Sequence, residues 1–205
     1  MGQGPGNREQ KDPDPCYALA MQSGNPEPLL TQGYQARRDH RLADARALFA
    51  EAVDLSRAAG PVILARSLTA LAQVERDLNN LDAALALYQQ AAALYRALSD
   101  PLKLAHTVRH AADILRHQNQ LDRGATCYIE ALDIYRANPQ TQPLDLANTL
   151  RGFALLKTAA GKNAEAAQLW SEARQLYAEV NVQAGIDEAD AQFARLAGLQ
   201  SPRLP

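Results

Sequence analysis

The sequence predicts an all-α fold, a solenoid of antiparallel helix pairs with about four repeats and a C-terminal capping helix. Residues 61–100 are followed directly by two stretches of the same pattern, residues 101–142 and 143–181. The prolines that open the three stretches stand 40 and 42 residues apart: Pro61, Pro101 and Pro143. A repeat of this length is typical of supersecondary units that stack side by side. Apolar residues recur within each unit at spacings of three and four, which is the period of an amphipathic helix.

Residues 1–25 predict a disordered tail, because Gly, Pro, Asp and Gln offer too little apolar surface to offset the cost of ordering. Its apolar patch, residues 17–21, is either part of a loose tail that brushes the first helix or a short docking motif. The N-terminus lacks the apolar core of a signal peptide, and Gly6 stands where N-myristoylation needs Ser or Thr. No apolar run reaches the roughly 18 residues that span a bilayer. We therefore expect a cytoplasmic protein without membrane contact.

The composition fits a packed protein with no nucleic-acid partner. Hydrophobic residues make up 47% of the 205 residues, enough to form a core, and the formal charge of -2 does not indicate a nucleic-acid binder. The two cysteines, Cys16 and Cys127, have neither zinc-ribbon nor disulfide-framework spacing, which favours a reducing compartment. No glycine-rich phosphate loop or catalytic triad pattern occurs, so we expect no cofactor and no enzymatic activity.

The four predicted units are residues 26–60, 61–100, 101–142 and 143–181. Proline suits the first helical turn because its missing N–H costs nothing there, and Asp100 is a plausible N-cap for the third unit. Near the middle of each unit stands a residue that tolerates the left-handed conformation of a helix end: Asp39, Asn79, Asn119 and Gly161. Each unit therefore reads as two helices joined by a tight turn, which makes them antiparallel. In the first unit we expect helices ending near Asp39 and starting at Arg41.

The second helix of each unit carries a small residue, an aromatic residue four positions later and a small residue three positions after that. The first small residues are Ala45, Ala84, Gly124 and Ala166; the aromatic residues are Phe49, Tyr88, Tyr128 and Trp170; the second small residues are Ala52, Ala91, Ala131 and Ala173. Such a face predicts a helix packed against it, and we interpret the aromatic stripe as core rather than as a cofactor or base-stacking site. Residues 182–197 predict the capping helix, with a polar outer side, and residues 198–205 a short tail.

The small–aromatic–small run resembles the tetratricopeptide repeat family, in the longer variety of about 40 residues found in kinesin light chain and bacterial repeat proteins. The match also includes apolar pairs in the first helices: Leu71 and Ala72, Ala111 and Ala112, Phe153 and Ala154. It covers residues 26–197, although leucine or valine replaces the large aromatic residue usual early in the first helix. The resemblance implies a right-handed superhelix whose concave groove, lined by the first helices, binds a partner peptide or helix.

The family layout places fourteen candidate partner-binding residues in this groove: Tyr34, Arg37, Arg38, Arg66, Thr69, Gln73, Arg76, His106, Arg109, Asp113, Arg116, His117, Asn148 and Arg151. Together with Asp77 they include seven arginines against two acids. Arginine pairs carboxylates bidentately, which favours a basic groove that receives an acidic segment. The alternative interpretation, an ordinary solvated face in an arginine-rich protein, stays open at this stage.

His106, His110 and His117 share one helix, and His106 with His110 has the spacing of a metal-binding pair. At about 1.5 Å per residue His106 and His117 are too far apart to share one ion, so solvated or partner-contacting histidines are the preferred interpretation over a metal site.

Two functions fit the sequence. The first is a non-catalytic scaffold or adaptor for protein–protein interaction. The second is a regulatory, peptide-sensing domain that acts in trans on a signalling or transcriptional effector. We expect a monomer or a weak homodimer, since an apolar edge around Leu29, Leu30 and Phe49 lacks an obvious cover.

Overall fold

The computed structural model describes residues 24–200, which form an all-α solenoid without strands in that range. The helices of this range are α1 (Glu27–Arg38), α2 (Leu42–Ala59), α3 (Pro61–Asp77), α4 (Leu81–Ala97), α5 (Pro101–His117), α6 (Leu121–Ala137), α7 (Pro143–Ala159), α8 (Asn163–Glu179) and α9 (Gln183–Gln200). Each helix packs mainly against the helices before and after it in the chain. The predicted docking motif at residues 17–21, Cys16 and nearly all of the predicted N-terminal tail lie outside the described residues.

Helix starts follow the prolines. Pro61, Pro101 and Pro143 are the first residues of α3, α5 and α7. The Asp100 carboxylate accepts a hydrogen bond from the Lys103 backbone N–H at 3.2 Å, which confirms the predicted N-cap.

Three of the four predicted turn residues have the left-handed conformation, with φ of 63° at Asn79, 58° at Asn119 and 72° at Gly161. The prediction for Asp39 was wrong by one residue, because Asp39 has φ of -80° and His40 has φ of 58°. The physical reason is the hydrogen bond that closes each helix end. In the first unit the Arg41 N–H reaches back to the Ala36 carbonyl at 2.9 Å, and this reach places the reversal at the residue directly before Arg41.

The aromatic stripe lies in the core, as predicted. Phe49, Tyr88, Tyr128 and Trp170 are fully buried. Glycines in the first helices make room for two of these rings. A Cβ at Gly33 would lie 2.5 Å from the Phe49 ring, and one at Gly152 would lie 2.6 Å from the Tyr128 hydroxyl oxygen.

Two further expectations differ from the structure. The apolar edge expected around Leu29, Leu30 and Phe49 is not open, since all three side chains are at most 1% exposed and pack together in one core cluster. Helix α9 runs to residue 200, three residues beyond the predicted end. A glycine inside a helix costs only about 1 kcal/mol, so Gly198 by itself does not end the helix.

Within residues 24–200, no helix combines the length and the apolar character that crossing a bilayer requires.

Candidate functional site on the first helices

All fourteen predicted partner-binding residues lie on α1, α3, α5 and α7, the first helices of the four units. We call these fourteen residues the first-helix surface. Tyr34, Arg37 and Arg38 lie on α1, and Asn148 and Arg151 lie on α7. Helices α3 and α5 supply the remaining nine: Arg66, Thr69, Gln73, Arg76, His106, Arg109, Asp113, Arg116 and His117.

Arginines join α1 to α3. The Arg37 Nε donates to the Asp77 carboxylate at 2.6 Å, and its Nη1 donates to the Gln73 side-chain carbonyl at 3.0 Å. Arg66 forms a two-pronged pair with Glu27, at 2.5 and 3.2 Å. Each pair links residues 36 to 40 positions apart, so the repeat itself brings them together.

His110 lies between two guanidinium groups at the junction of α3 and α5. Its Nδ1 is 3.0 Å from Arg76 Nη1, and its Nε2 is 3.0 Å from Arg109 Nη2. Burial and the neighbouring Arg109 and His106 side chains, only partly opposed by Asp113, lower the pKa of His110 to about 3. Burial and the Arg109 charge lower the pKa of His106 to about 4. Both imidazoles are therefore neutral at pH 7.

Asp113 connects the first-helix surface with a buried side chain of the core. The Tyr128 hydroxyl donates to its Oδ1, and Arg109 Nη1 lies 3.6 Å from its Oδ2. Burial alone would raise the pKa of Asp113, but contacts with His110, Arg109 and Tyr128 outweigh burial and lower it.

Helix α7 is bonded to both of the helices that follow it, α8 and α9. Arg151 makes a bidentate pair with Glu188 on α9, at 2.5 and 2.8 Å, and Asn148 accepts a hydrogen bond from the Tyr177 hydroxyl at 2.8 Å. Arg116 on α5 has no ion pair among the described residues, and its Nη2 lies 3.2 Å from His117 Nε2.

Three cavities lie along these helices. The first, about 550 Å³, is lined by residues that include Tyr34, Arg37 and Arg38. The second, about 320 Å³, also borders Tyr34 and extends past Arg66 to His106. The third, about 340 Å³, brings together five of the predicted residues: Arg76, Asp113, Arg116, His117 and Arg151.

Three participants were not predicted from the sequence, namely Glu27, Glu188 and His110 in its role between two arginines. The two glutamates pair with Arg66 and Arg151 across 39 and 37 residues. Acid-to-arginine spacings close to the repeat length were the signal in the sequence that could have found them. With Asp77 and Asp113 they bring the acids of this surface to four, against seven arginines.

The His106 and His110 rings meet edge to face with centroids 4.6 Å apart. Because each nitrogen of His110 faces a guanidinium, no free His110 nitrogen points to a metal site. Among the described residues no group of three or more His, Cys, Asp or Glu is arranged to hold a metal ion.

Comparisons with known proteins identify the repeat. A model of the tetratricopeptide repeat matches residues 27–97. The fold is similar to BtubC from P. vanneervenii, with 16% identity, a TM-score of 0.65, and coverage of 93% of this chain and 90% of BtubC. It is also similar to a kinesin light chain-like protein of Podosopora anserina with nearly identical TPR-like repeats, with 12% identity, a TM-score of 0.66, and coverage of 88% and 98%.

MamA is a third structural relative, with 17% identity, a TM-score of 0.60, and coverage of 80% of this chain and 85% of MamA. At these identities the similarity describes the fold. No curated protein sequence matches this chain significantly.

Proposed function

We propose that this chain is a tetratricopeptide repeat protein and acts as a non-catalytic interaction scaffold that binds an acidic segment of a partner protein along the first-helix surface. The observation that carries this proposal is the excess of arginine along the first helices of the four units, seven guanidinium groups against the four carboxylates that pair with them.

The packing of alternate helices supports a groove on this side. Helix α1 contacts α3, and α5 contacts α7, in addition to the contacts between neighbours in the chain. These contacts bring two pairs of first helices close to one another, whereas no pair of second helices in residues 24–200 makes contacts of similar extent. A stack whose first helices approach more closely than its second helices curves toward the first helices, and the first-helix surface then lies on the concave side.

The chemistry of the surface favours carboxylates. A guanidinium group presents its N–H donors in a planar fork that matches a carboxylate. Five of the seven arginines are paired with acids of the protein itself, and these pairs are partly exposed. Exposed ion pairs are worth at most about 1 kcal/mol each, so a partner's carboxylates can replace them at little cost. Arg38 and Arg116 need no such exchange, because Arg38 donates to the Gln35 side-chain carbonyl and Arg116 contacts the His117 ring instead of a carboxylate.

The test is a titration of a fluorescein-labelled hexaglutamate peptide, followed by fluorescence anisotropy at an ionic strength of about 0.01 M, where screening is weak. We expect hexaglutamate to bind to the unmodified protein and hexalysine not to bind. The double reversal Arg109→Glu with Arg116→Glu should weaken binding by about tenfold or more, because one hydrogen bond to a charged group is worth about 1.5–3 kcal/mol.

A matched control has the same change in net charge away from this surface. Arg57→Glu with Arg123→Glu changes two exposed arginines on the second helices α2 and α6, and should lower the affinity far less. Because Arg109 is only 12% exposed, its reversal can disturb the fold, and circular dichroism must show unchanged helicity. The pair Arg38→Glu with Arg66→Glu, both better exposed, provides a second test. Equal affinity for all variants would refute the proposal.

A further inference from the structure

The third cavity of the first-helix surface differs from the other two in its arginine content. Residues of α3, α5 and α7 surround its 340 Å³, among them the three guanidinium groups of Arg76, Arg116 and Arg151. His117 and Asn79 line it as well, and Asp113 is its single carboxylate. We call this space the arginine cavity.

Charges around the arginine cavity do not balance. Arg76 shares Asp77 with Arg37 and His110 with Arg109, and with Arg116 and Arg151 in the same cavity this gives five guanidinium groups. The carboxylates that pair with these groups are three: Asp77, Asp113 and Glu188. His110, which touches two of the arginines, is neutral at pH 7 because of its low pKa. The network therefore carries two positive charges in excess.

Hydrogen-bond acceptors are also too few. A neutral imidazole has one acceptor nitrogen, yet both nitrogens of His110 face an arginine donor at 3.0 Å. One of these two guanidinium groups must therefore point an N–H at a nitrogen that cannot accept it. Among the described residues, the buried Nε atoms of Arg109 and Arg116 have no hydrogen-bond partner. Buried donors without acceptors are uncommon in folded proteins, and these two N–H groups can donate to a ligand.

We propose that the arginine cavity binds a phosphoryl group carried by a phosphorylated residue of the partner segment. A phosphorylated side chain brings a charge of about -1.5 to -2 at pH 7 and three strong acceptor oxygens. It thus matches both the charge excess and the shortage of acceptors, whereas one carboxylate supplies a single charge and two oxygens. This inference rests on the proposed function, because it takes the phosphoryl group to be part of the segment that lies along the first-helix surface.

Isothermal titration calorimetry with small probes tests the inference. The probes are N-acetyl-phosphoserine methylamide, the corresponding aspartate compound and inorganic phosphate, each titrated into the full chain in chloride buffer at low ionic strength. We expect the phosphoserine compound to bind at least about tenfold more tightly than the aspartate compound, and no more weakly than inorganic phosphate. Arg116→Gln should lower the affinity for the phosphoserine compound by about tenfold or more, which is the effect of one lost charge-assisted hydrogen bond.

Arg57→Gln is the matched control, since it removes one exposed guanidinium from α2, and it should leave the affinity within about twofold. Arg116→Lys keeps the positive charge but loses the planar fork of N–H donors. We therefore expect its affinity for the phosphoserine compound to lie between that of Arg116→Gln and that of the unmodified protein, even if glutamine disturbs the helix. Equal binding of the phosphoserine and aspartate compounds would overturn the inference. Binding of inorganic phosphate without the phosphoserine compound would overturn the assignment to a partner segment.

Titration with hexaglutamate distinguishes a failure of this inference from a failure of the proposed function. Binding of hexaglutamate, together with equal affinities for the phosphoserine and aspartate compounds, removes the phosphoryl site and leaves the acidic groove. Tight binding of the phosphoserine compound without hexaglutamate binding leaves the cavity as an isolated phosphoryl site and removes the groove.

Discussion

Removal of the Tyr128 hydroxyl separates the core role of this ring from its role beneath the first-helix surface. Tyr128 is fully buried, and its hydroxyl donates to the Asp113 carboxylate. In Tyr128→Phe the ring stays and the carboxylate loses a donor. Because the Asp113 side chain is 25% exposed, water can replace part of the lost bond. We therefore expect the free energy of unfolding to fall by about 1.5 kcal/mol, the lower end for hydrogen bonds to charged groups.

The matched control is Tyr88→Phe. Tyr88 occupies the same position in the preceding unit and is also fully buried, but its hydroxyl has no hydrogen-bond partner within the part of the chain that the structure describes. Its loss should change the free energy of unfolding by less than about 0.5 kcal/mol or stabilise the protein. Urea denaturation followed by circular dichroism measures both variants. Equal destabilisation by the two substitutions would refute the assignment of a specific Tyr128–Asp113 bond.

The destabilisation caused by Tyr128→Phe should depend on pH, and the lowered pKa of Asp113 sets the direction of this dependence. Because the pKa of Asp113 is lowered in the folded protein, its contribution to stability is present above the unfolded pKa of about 4 and is lost as pH falls through the folded pKa. Tyr128→Phe removes one of the contacts that lower this pKa. The difference in stability between the unmodified protein and Tyr128→Phe should therefore shrink as pH falls from about 4 through the folded pKa of Asp113, and a difference that stays constant until acid unfolds the protein would contradict the mechanism.

Three further substitutions test the packing and the helix caps by urea denaturation. Gly33→Ala should destabilise the protein by about 1–3 kcal/mol, because the added methyl group overpacks against the Phe49 ring. Helix propensity alone would instead stabilise it by about 1 kcal/mol, so a stabilised variant would contradict the close approach of Gly33 to Phe49. Arg46→Gln should cost about 1–3 kcal/mol, because it removes the 2.6 Å partner of the Glu75 carboxylate, which is only 5% exposed; a loss below about 0.5 kcal/mol would show that the pair is unimportant. Asp100→Ala should cost about 1 kcal/mol by removing the N-cap of α5, and no change would mean that water caps the helix equally well.

Local patterns in the sequence were enough to predict the helices. Proline at a helix start and a left-handed residue at a helix end act through the backbone of a few neighbouring residues, so Pro101 and Asn119 could be placed from the sequence alone. The aromatic residue between two small ones acts through the adjacent helix, which the repeat supplies, and the burial of Phe49 and Trp170 followed from it.

The partners of the surface arginines were harder to predict. Which acid meets Arg66 or Arg151 depends on how far successive units are shifted along and around the stack, and this shift is not written in any single helix. The family layout predicted that the arginines share one surface but gave no reason to connect them with Glu27 and Glu188. His110 was considered as a metal ligand because of its spacing, whereas its environment of two guanidinium groups comes from helices α3 and α5 together.

The central claim is that the first helices, and not the second, form the binding surface. Backbone amide chemical shifts of the ¹⁵N-labelled protein, recorded while hexaglutamate is added at low ionic strength, test it directly. The account predicts that the perturbed amides cluster on α1, α3, α5 and α7. Perturbations concentrated on α2, α4, α6 and α8, or none at saturating peptide, would contradict it.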